Sequence, residues 1–348
     1  MRSRAWIGIA LSLALSAWFI HTTHWAELGE AFASVHPMFI VASASLLVME
    51  FALRAVRWKV LLRPVAPTVR TVELFAATVI GAAANTLLPA RAGELAKPLV
   101  AARKAKIGIA PVIATAVMER VFDIFGLVCV LCFMLLTIPP HLAKSADDAV
   151  LVHNLKVYGS IFGFAALCAM LVFFGLATRG DLAKSLVQRL PFPPPLARRI
   201  DVLVDGFLSG LGSAREGGRI ATAAALSVGL WFNGAIAIHV LFRAFSLDLP
   251  FSAACFTGVA IALTVALPQA PGFFGVFHVA IEKTLVLWGI DPSPAKAFAI
   301  VFWGVSFLPV TLLGLLALWR EGLTLNGLWS NAGEPPEPEP SGDGTQVF

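Results

Sequence analysis

Two short stretches in opposite halves of this chain read almost alike: Leu88-Pro89-Ala90-Arg91-Ala92-Gly93-Glu94 and Leu267-Pro268-Gln269-Ala270-Pro271-Gly272. Each has the form Leu-Pro-x-x-x-Gly, and each closes an apolar segment. Each also breaks a helix, because proline lacks the backbone donor and glycine gains little from helical geometry. The two prolines stand half the 348-residue chain apart. Helix breakers at matching positions of two apolar halves point to a transporter built from inverted repeats, with its binding site at the breaks.

The surroundings of the breakers are those of a membrane protein. Hydrophobic residues make up 58% of the chain and charged residues 14%, against about 25% charged in a soluble domain. Apolar runs of about 20 residues, the length needed to cross a bilayer, recur throughout. The short alternating strands of a transmembrane barrel are absent. An all-α polytopic integral membrane protein follows. Met1-Arg2-Ser3-Arg4 followed by Ala5 to Ile20 has the outline of a signal peptide, and Ala14-Leu15-Ser16 that of a cleavage site. With so many spans downstream it is read as an uncleaved first helix. The net charge of +5 comes from basic residues beside the spans, where they set topology and imply no nucleic-acid partner.

Lys and Arg place the N-terminus in the cytoplasm, since Arg2 and Arg4 precede the first span and His21 to Pro37 carries neither. A second span from about Met38 to Leu53 returns to the basic cluster Arg54, Arg57, Lys59, Arg63 and Arg70. The segment Leu74 to Ala90 is short for a crossing and basic on both flanks, with Lys97, Arg103, Lys104 and Lys106 beyond it. A re-entrant hairpin entered from the cytoplasm and turning at Pro89 to Gly93 satisfies both flanks. Irregular backbone at that depth must be buried in protein or line a cavity.

Ile107 to Ile138 crosses outward, Pro139 to Lys156 forms an external loop, and Tyr158 to Ala177 returns. A basic cytoplasmic section, 178–219, carries a linker at Pro191 to Pro195. In it Ile200, Leu203, Phe207, Leu208 and Leu211 are spaced as one face of an amphipathic helix. The second half, about 220–320, contains a span from Ile220 to Phe245 and the apolar pair Phe251 to Leu267 and Phe273 to Trp288 around the second breaker. That pair reads as a hairpin entered from outside, although two full spans leave the same sidedness. A last span from about Ala297 to Trp319 ends the 1–320 membrane domain. The Pro- and Glu-rich tail, 321–348, reads as a disordered cytoplasmic segment.

A helix restarting after each breaker presents free N–H groups and a positive dipole end, both suited to an anion. Arg91 adds a donor matched to phosphate oxygens, and Glu94 and Lys97 follow within two turns. The alternative is that these three face cytoplasmic water. Glu119, Arg120 and Asp123 lie inside a span, where ionisable groups are costly. They serve either an interior cavity or a self-neutralising lock between helices. Arg54, Arg57, Trp58 and Lys59 are explained by anchoring at the interface, with Arg57 a further candidate for a lipid phosphate. His278 follows the second breaker closely and is a weaker site candidate.

Cys129, Cys132, Cys168 and Cys255 all lie in apolar runs. Cys129 and Cys132 have C-x-x-C spacing but no further metal ligands beside them, so all four are read as buried thiols. No phosphate-binding G-x-x-x-x-G-K-[ST], no G-x-S-x-G and no H-E-x-x-H occurs. No cofactor, no metal and no enzymatic activity are expected.

Four segments then carry a resemblance: Arg54-Ala55-Val56-Arg57-Trp58-Lys59-Val60-Leu61-Leu62, Asn85-Thr86-Leu87-Leu88-Pro89-Ala90-Arg91-Ala92-Gly93-Glu94, Glu119-Arg120-x-x-Asp123 and Pro268-x-x-Pro271-Gly272-x-x-Gly275-Val276-Phe277. In this order they resemble the flippase-like family that includes the membrane half of bacterial lysylphosphatidylglycerol synthase. The resemblance runs from about Arg4 to Arg320. It implies a lipid-translocating domain with paired re-entrant hairpins and without the aminoacyl-transferase domain of two-part members. It also adds Asn85 to the site residues. The chain departs from the family at His278, where many members carry Glu, and Glu282 one turn later is the substitute.

The expected function is movement of a phosphate-bearing lipid between leaflets of the bacterial inner membrane, with both termini cytoplasmic. The rivals are an intramembrane lipid-modifying enzyme using Glu119 or Asp123 as base, and a non-transporting scaffold. The expected partners are a lipid headgroup and either a second copy of the chain or lipid-synthesis enzymes.

Overall fold

The computed structural model describes residues 14–322 except 24, 34, 89–90, 140–145, most of 179–215 and 267–270. Pro89, Pro268, the proposed amphipathic face at 200–211 and the acidic tail therefore lie largely or wholly outside the described residues. In chain order the helices are α1 over 14–21, α2 Trp25–Ala33, α3 Pro37–Leu62, α4 Thr71–Leu87, α5 Gly93–Ala105, α6 Ile109–Thr137, α7 Ala146–Thr178, α8 Gly217–Ala244, α9 Phe251–Ala266, α10 Val276–Leu287 and α11 Pro292–Arg320. There is no strand among the described residues.

Among the described residues five helices are long and apolar enough to cross a membrane: α3, α6, the Lys156–Phe173 stretch of α7, α8 and α11. The protein is an all-helical, multi-pass membrane protein. At 1.5 Å per residue α6 reaches about 43 Å, beyond the roughly 30 Å of a hydrocarbon core. By the same measure α4 and α9 reach about 25 Å, and α5 and α10 about 19 Å, shorter than that core. Val41, Leu136, Phe164, Leu171 and Leu312 point away from the protein, as expected where lipid rather than protein covers an apolar side chain.

The bundle has two apolar cores, one toward each end. Trp58, Leu61, Leu62, Leu74, Ile80, Met118 and Phe122 fill one. Phe242, Phe277, Leu285 and Phe298 belong to the other. Helices α3 and α8 run antiparallel between them and are pinned by buried polar contacts. Ser43 donates to the Ala237 carbonyl at 2.9 Å, and Asn233 donates to the Leu46 carbonyl at 2.9 Å.

Both breaker regions fold the chain back on itself. Helices α4 and α5 pack antiparallel so closely that a Cβ on Gly93 would collide with the Gly81 carbonyl, and one on Gly81 would meet Lys97. At the second break, Pro271–Phe273 forms a single 3-10 turn in which Gly272 has φ 76°, leading into α10.

Three boundaries differ from the sequence reading. Helix α3 continues to Leu62 instead of ending near Leu53, because Arg54 and Arg57 find carboxylates inside the bundle. Helix α7 starts at Ala146, so the end of the expected loop is helical. Helix α11 starts at Pro292, with proline in the first turn where its missing donor is harmless. The thiols differ as well. Cys255 is buried, whereas Cys132 and Cys168 are exposed and Cys129 is half-buried. An apolar run reads the same whether it faces lipid or core.

Candidate functional site

On α3, Glu50, Arg54 and Arg57 recur at helical spacing and so share one face. Arg54 Nη2 lies 2.6 Å from Glu50 Oε1, and Arg54 Nη1 lies 3.6 Å from Asp123 Oδ2 on α6. Arg57, with none of its surface exposed, donates through Nη1 to Ser227 Oγ of α8 at 2.7 Å. The same nitrogen sits 2.8 Å from Asp123 Oδ1, while Nη2 is 3.6 Å from Glu119 Oε1. Helix α5 contributes Lys97, whose Nζ is 2.5 Å from Glu119 Oε2 and 4.2 Å above the Trp58 ring. Trp58 in turn donates to Thr115 Oγ1 at 3.0 Å. At the more exposed edge Arg120 pairs with Glu94 and lies 3.4 Å from Asp123 Oδ2.

The result is a continuous network in which Glu50, Glu94, Glu119 and Asp123 balance Arg54, Arg57, Lys97 and Arg120. Buried charges persist only when paired, so balance is the condition for this cluster to exist inside a membrane protein. The pairing is incomplete. Arg57 Nε and Asn85 Oδ1 are buried and make no hydrogen bond, and Arg57 Nη2 and Glu119 Oε1 face each other only at 3.6 Å. Such residual capacity calls for water or a polar ligand.

The two chain breaks meet. Arg91 adopts the left-handed conformation with φ 55°, and its half-buried guanidinium donates to the Val265 carbonyl near the end of α9. The Thr86 carbonyl lies 4.0 Å from where Gly272 would carry a Cβ. Trp303 of α11 fixes the second break by donating to the Gly272 carbonyl at 2.7 Å. Ala92 precedes α5 and Gly275 precedes α10, and neither supplies a side-chain cap. Leu95 N–H already binds the Ala92 carbonyl and Val276 N–H the Phe274 carbonyl, so each helix start keeps only part of its donors for another acceptor. Among the described residues Arg91 has no carboxylate partner, unlike every cation of the network beside it.

Of the residues chosen from sequence, Arg57, Glu94, Glu119, Arg120 and Asp123 come together in the network, and Gly93 forms the tight α4–α5 contact with Asn85 and Gly81. Arg91 joins the first break to the second, near Gly272 and Pro271. Glu282 joins neither group among the described residues, and His278 lies beside the second break only through ring contacts with Phe274 and Trp303. His278 is fully buried in a box of Phe19, Phe274, Phe277 and Trp303, with its ring centroid 4.3 Å from that of Phe274.

Two readings need correction. Arg57 and Trp58 are buried structural partners and not interfacial anchors, whereas Lys59 remains exposed. The trio Glu119, Arg120 and Asp123 does not neutralise itself alone: Arg120 lies beside Asp123, but Glu119 is held by Lys97 and Arg57 from other helices. Sequence reasoning missed Glu50, although its spacing of four to Arg54 and seven to Arg57 was a usable signal. Ser227 and the Val265 carbonyl carried none.

A family model described as the lysylphosphatidylglycerol synthase transmembrane region matches residues 5–314. A UPF0104 membrane protein of Methanocaldococcus jannaschii is 22% identical over 236 residues, covering 68% of this chain and 92% of that protein. Another, from Methanothermobacter thermautotrophicus, is 20% identical over 312 residues, covering 84% and 88% respectively. The glycosyltransferase AglD of Haloferax volcanii is 22% identical over 330 residues, which cover 87% of this chain but 51% of that protein. No solved structure matches the chain.

Proposed function

This chain belongs to the lysylphosphatidylglycerol synthase transmembrane-region family, and from that premise we propose that it moves a phosphate-bearing lipid between the leaflets of the cytoplasmic membrane. The observation that carries the reading is the meeting of the two helix breaks at Arg91 and Val265. A helix start without a side-chain cap follows each break, and among the described residues the Arg91 guanidinium between the breaks has no carboxylate partner, which suits a phosphate monoanion or diester. The balanced network of α3, α5 and α6 beside it supplies a polar lining with unused donors and acceptors. A headgroup passing that lining never meets bare hydrocarbon, while its acyl chains stay in lipid.

Sidedness follows from charge. Arg63, Arg70, Arg103, Lys104, Lys106 and Arg320 cluster where α3, α5 and α11 end, and the positive-inside rule makes that end cytoplasmic. The α4–α5 pair then enters from the cytoplasm and the α9–α10 pair from outside, as two re-entrant hairpins of opposite sense. Their arm lengths support this placement. Transport is downhill or coupled to an ion gradient.

Reconstitution tests the proposal. Purified protein is placed in liposomes carrying phosphatidylglycerol with a fluorescent acyl-chain label, and dithionite quenching reads the exchange between leaflets. Exchange well above protein-free liposomes is expected, with lipid masses unchanged. A changed lipid mass without exchange would instead favour an intramembrane transferase, the activity named for one relative, and neither change would leave a scaffold.

A further inference from the structure

At the end of the bundle opposite the basic cluster, α1, α2, α10 and α11 surround a cavity of about 780 Å³ that the transport reading does not use. Glu27 and Glu30 of α2, Glu282 of α10 and Asp291 at the head of α11 contribute to its wall, with Lys296 and the indole of Trp18. Lys296 is committed elsewhere. Its ammonium donates to the Thr22 carbonyl and, at 2.9 Å, to Thr22 Oγ1, and among the described residues it forms no ion pair. Glu27 accepts from Ser293 Oγ and Glu282 pairs with Lys283, so the four carboxylates still outnumber the two lysines beside them.

One of them points to a ligand. Glu282 is 3% exposed, and its Oε2 is buried without any hydrogen bond. A buried carboxylate oxygen without a donor is costly, so it marks a place where a donor belongs. The chain itself shows which donor fits. Lys283 Nζ lies 3.4 Å from Glu282 Oε1 and 4.8 Å from the centroid of the Trp18 ring. An ammonium between a carboxylate and an indole face gains both ion pairing and a cation–π contact. A metal ion is a poorer occupant, since no group of three His, Cys, Asp or Glu side chains among the described residues is placed to hold one.

We infer that this cavity binds a primary alkylammonium group, presented either by a lipid headgroup at that membrane face or by a small soluble amine. Trp18 and Glu282 hold the ammonium, and Glu27, Glu30 and Asp291 attract it electrostatically. Lys283 is its intramolecular competitor. The inference stands whether or not the protein moves lipid, because binding is measured without transport.

The test uses the full chain in phosphatidylcholine nanodiscs, titrated with dansylcadaverine, a fluorescent primary amine. Saturable binding is expected. Replacing Glu27→Gln and Glu30→Gln together, both exposed, should weaken it at least tenfold, as should Glu282→Gln; an amide oxygen at position 27 can still accept from Ser293. Lys283→Ala should tighten it severalfold, a gain that misfolding cannot produce. Arg243→Gln, which removes a cation at the same end but outside the cavity, should leave it within twofold. Suppression of dye binding in phosphatidylethanolamine discs identifies the lipid headgroup as the source. Displacement only by free cadaverine identifies a soluble amine. Absence of saturable binding overturns the inference, as does indifference to the Glu27 and Glu30 changes or equal tightening by Lys283→Ala and Arg243→Gln.

Discussion

Arg57 of α3 places its guanidinium Nη1 2.8 Å from Asp123 Oδ1 of α6, and none of Arg57 is exposed. A charge so enclosed can be held only by partners on neighbouring helices. Arg57 therefore fixes the relative position of α3, α6 and, through Ser227, α8. The same contact sets one wall of the polar lining beside the two breaks. The structural lock and the surface proposed for the headgroup are built from one set of side chains.

The lock makes a prediction about partners. Glu119→Gln leaves Lys97 and Arg57 facing a neutral amide, and losing one member of a buried pair costs about 3–5 kcal/mol. A lower unfolding midpoint in detergent, followed by tryptophan fluorescence, is expected. Adding Lys97→Met, which removes the cation 2.5 Å from Glu119 Oε2, should recover much of the loss. Adding Arg120→Gln should not, because Arg120 pairs with Glu94 and Asp123. Equal rescue by both would show that Glu119 has been assigned the wrong partner.

The α4–α5 hairpin rests on a contact with no room for a methyl group. Gly93→Ala drives its Cβ into the Gly81 carbonyl and the Asn85 side chain, and overpacking of this kind costs about 1–3 kcal/mol. Gly229 on α8 has nothing within 4 Å of its missing Cβ, so Gly229→Ala should be neutral or stabilising through helix propensity. Comparison of the two unfolding midpoints decides the matter, and similar midpoints would remove the close-packed hairpin.

Much of this architecture was legible because apolar length and proline position are written directly in the chain. Ile107 to Ile138 announces α6, which runs over Ile109–Thr137. The errors arose where charge lies inside a helix. Arg54 and Arg57 looked like the end of a span, since sequence order does not reveal that Asp123 and Glu119 wait across the bundle to pair with them. Lys296 hid the start of α11 for the same reason, its partner being the Thr22 carbonyl. Of the site, the ionisable members could be chosen by their cost in a membrane. The acceptor for Arg91 could not, because a backbone carbonyl is present at every position and only folding selects Val265.

Membrane placement of the first hairpin is open to labelling. After Cys129, Cys132 and Cys168, none of them buried, are replaced by serine, one cysteine at a time is introduced at Arg70, Arg103 and Asp248. In sealed inverted vesicles the first two should react with an impermeant maleimide and the third should not. Protection of either Arg70 or Arg103 would mean that α4 or α5 crosses completely, and the opposed-hairpin arrangement would fall.

The phosphate reading turns on Arg91. Its backbone has φ 55°, which a non-glycine residue holds at a cost of about 1–3 kcal/mol. Arg91→Gly removes that cost together with the hydrogen bond to Val265, itself worth about 0.5–1.5 kcal/mol. The two changes oppose each other, so the protein should stay folded with an unfolding midpoint near that of the unaltered chain. Leaflet exchange should nonetheless fall at least tenfold, because the guanidinium at the meeting of the breaks is gone. Arg91→Lys should retain part of the rate, since a lysine keeps the charge but not the planar two-point contact with phosphate oxygens. Exchange measured at equal protein density in liposomes orders the three forms. If Arg91→Gly exchanges lipid as fast as the unaltered protein, Arg91 is a strut between the breaks and the headgroup phosphate is held elsewhere.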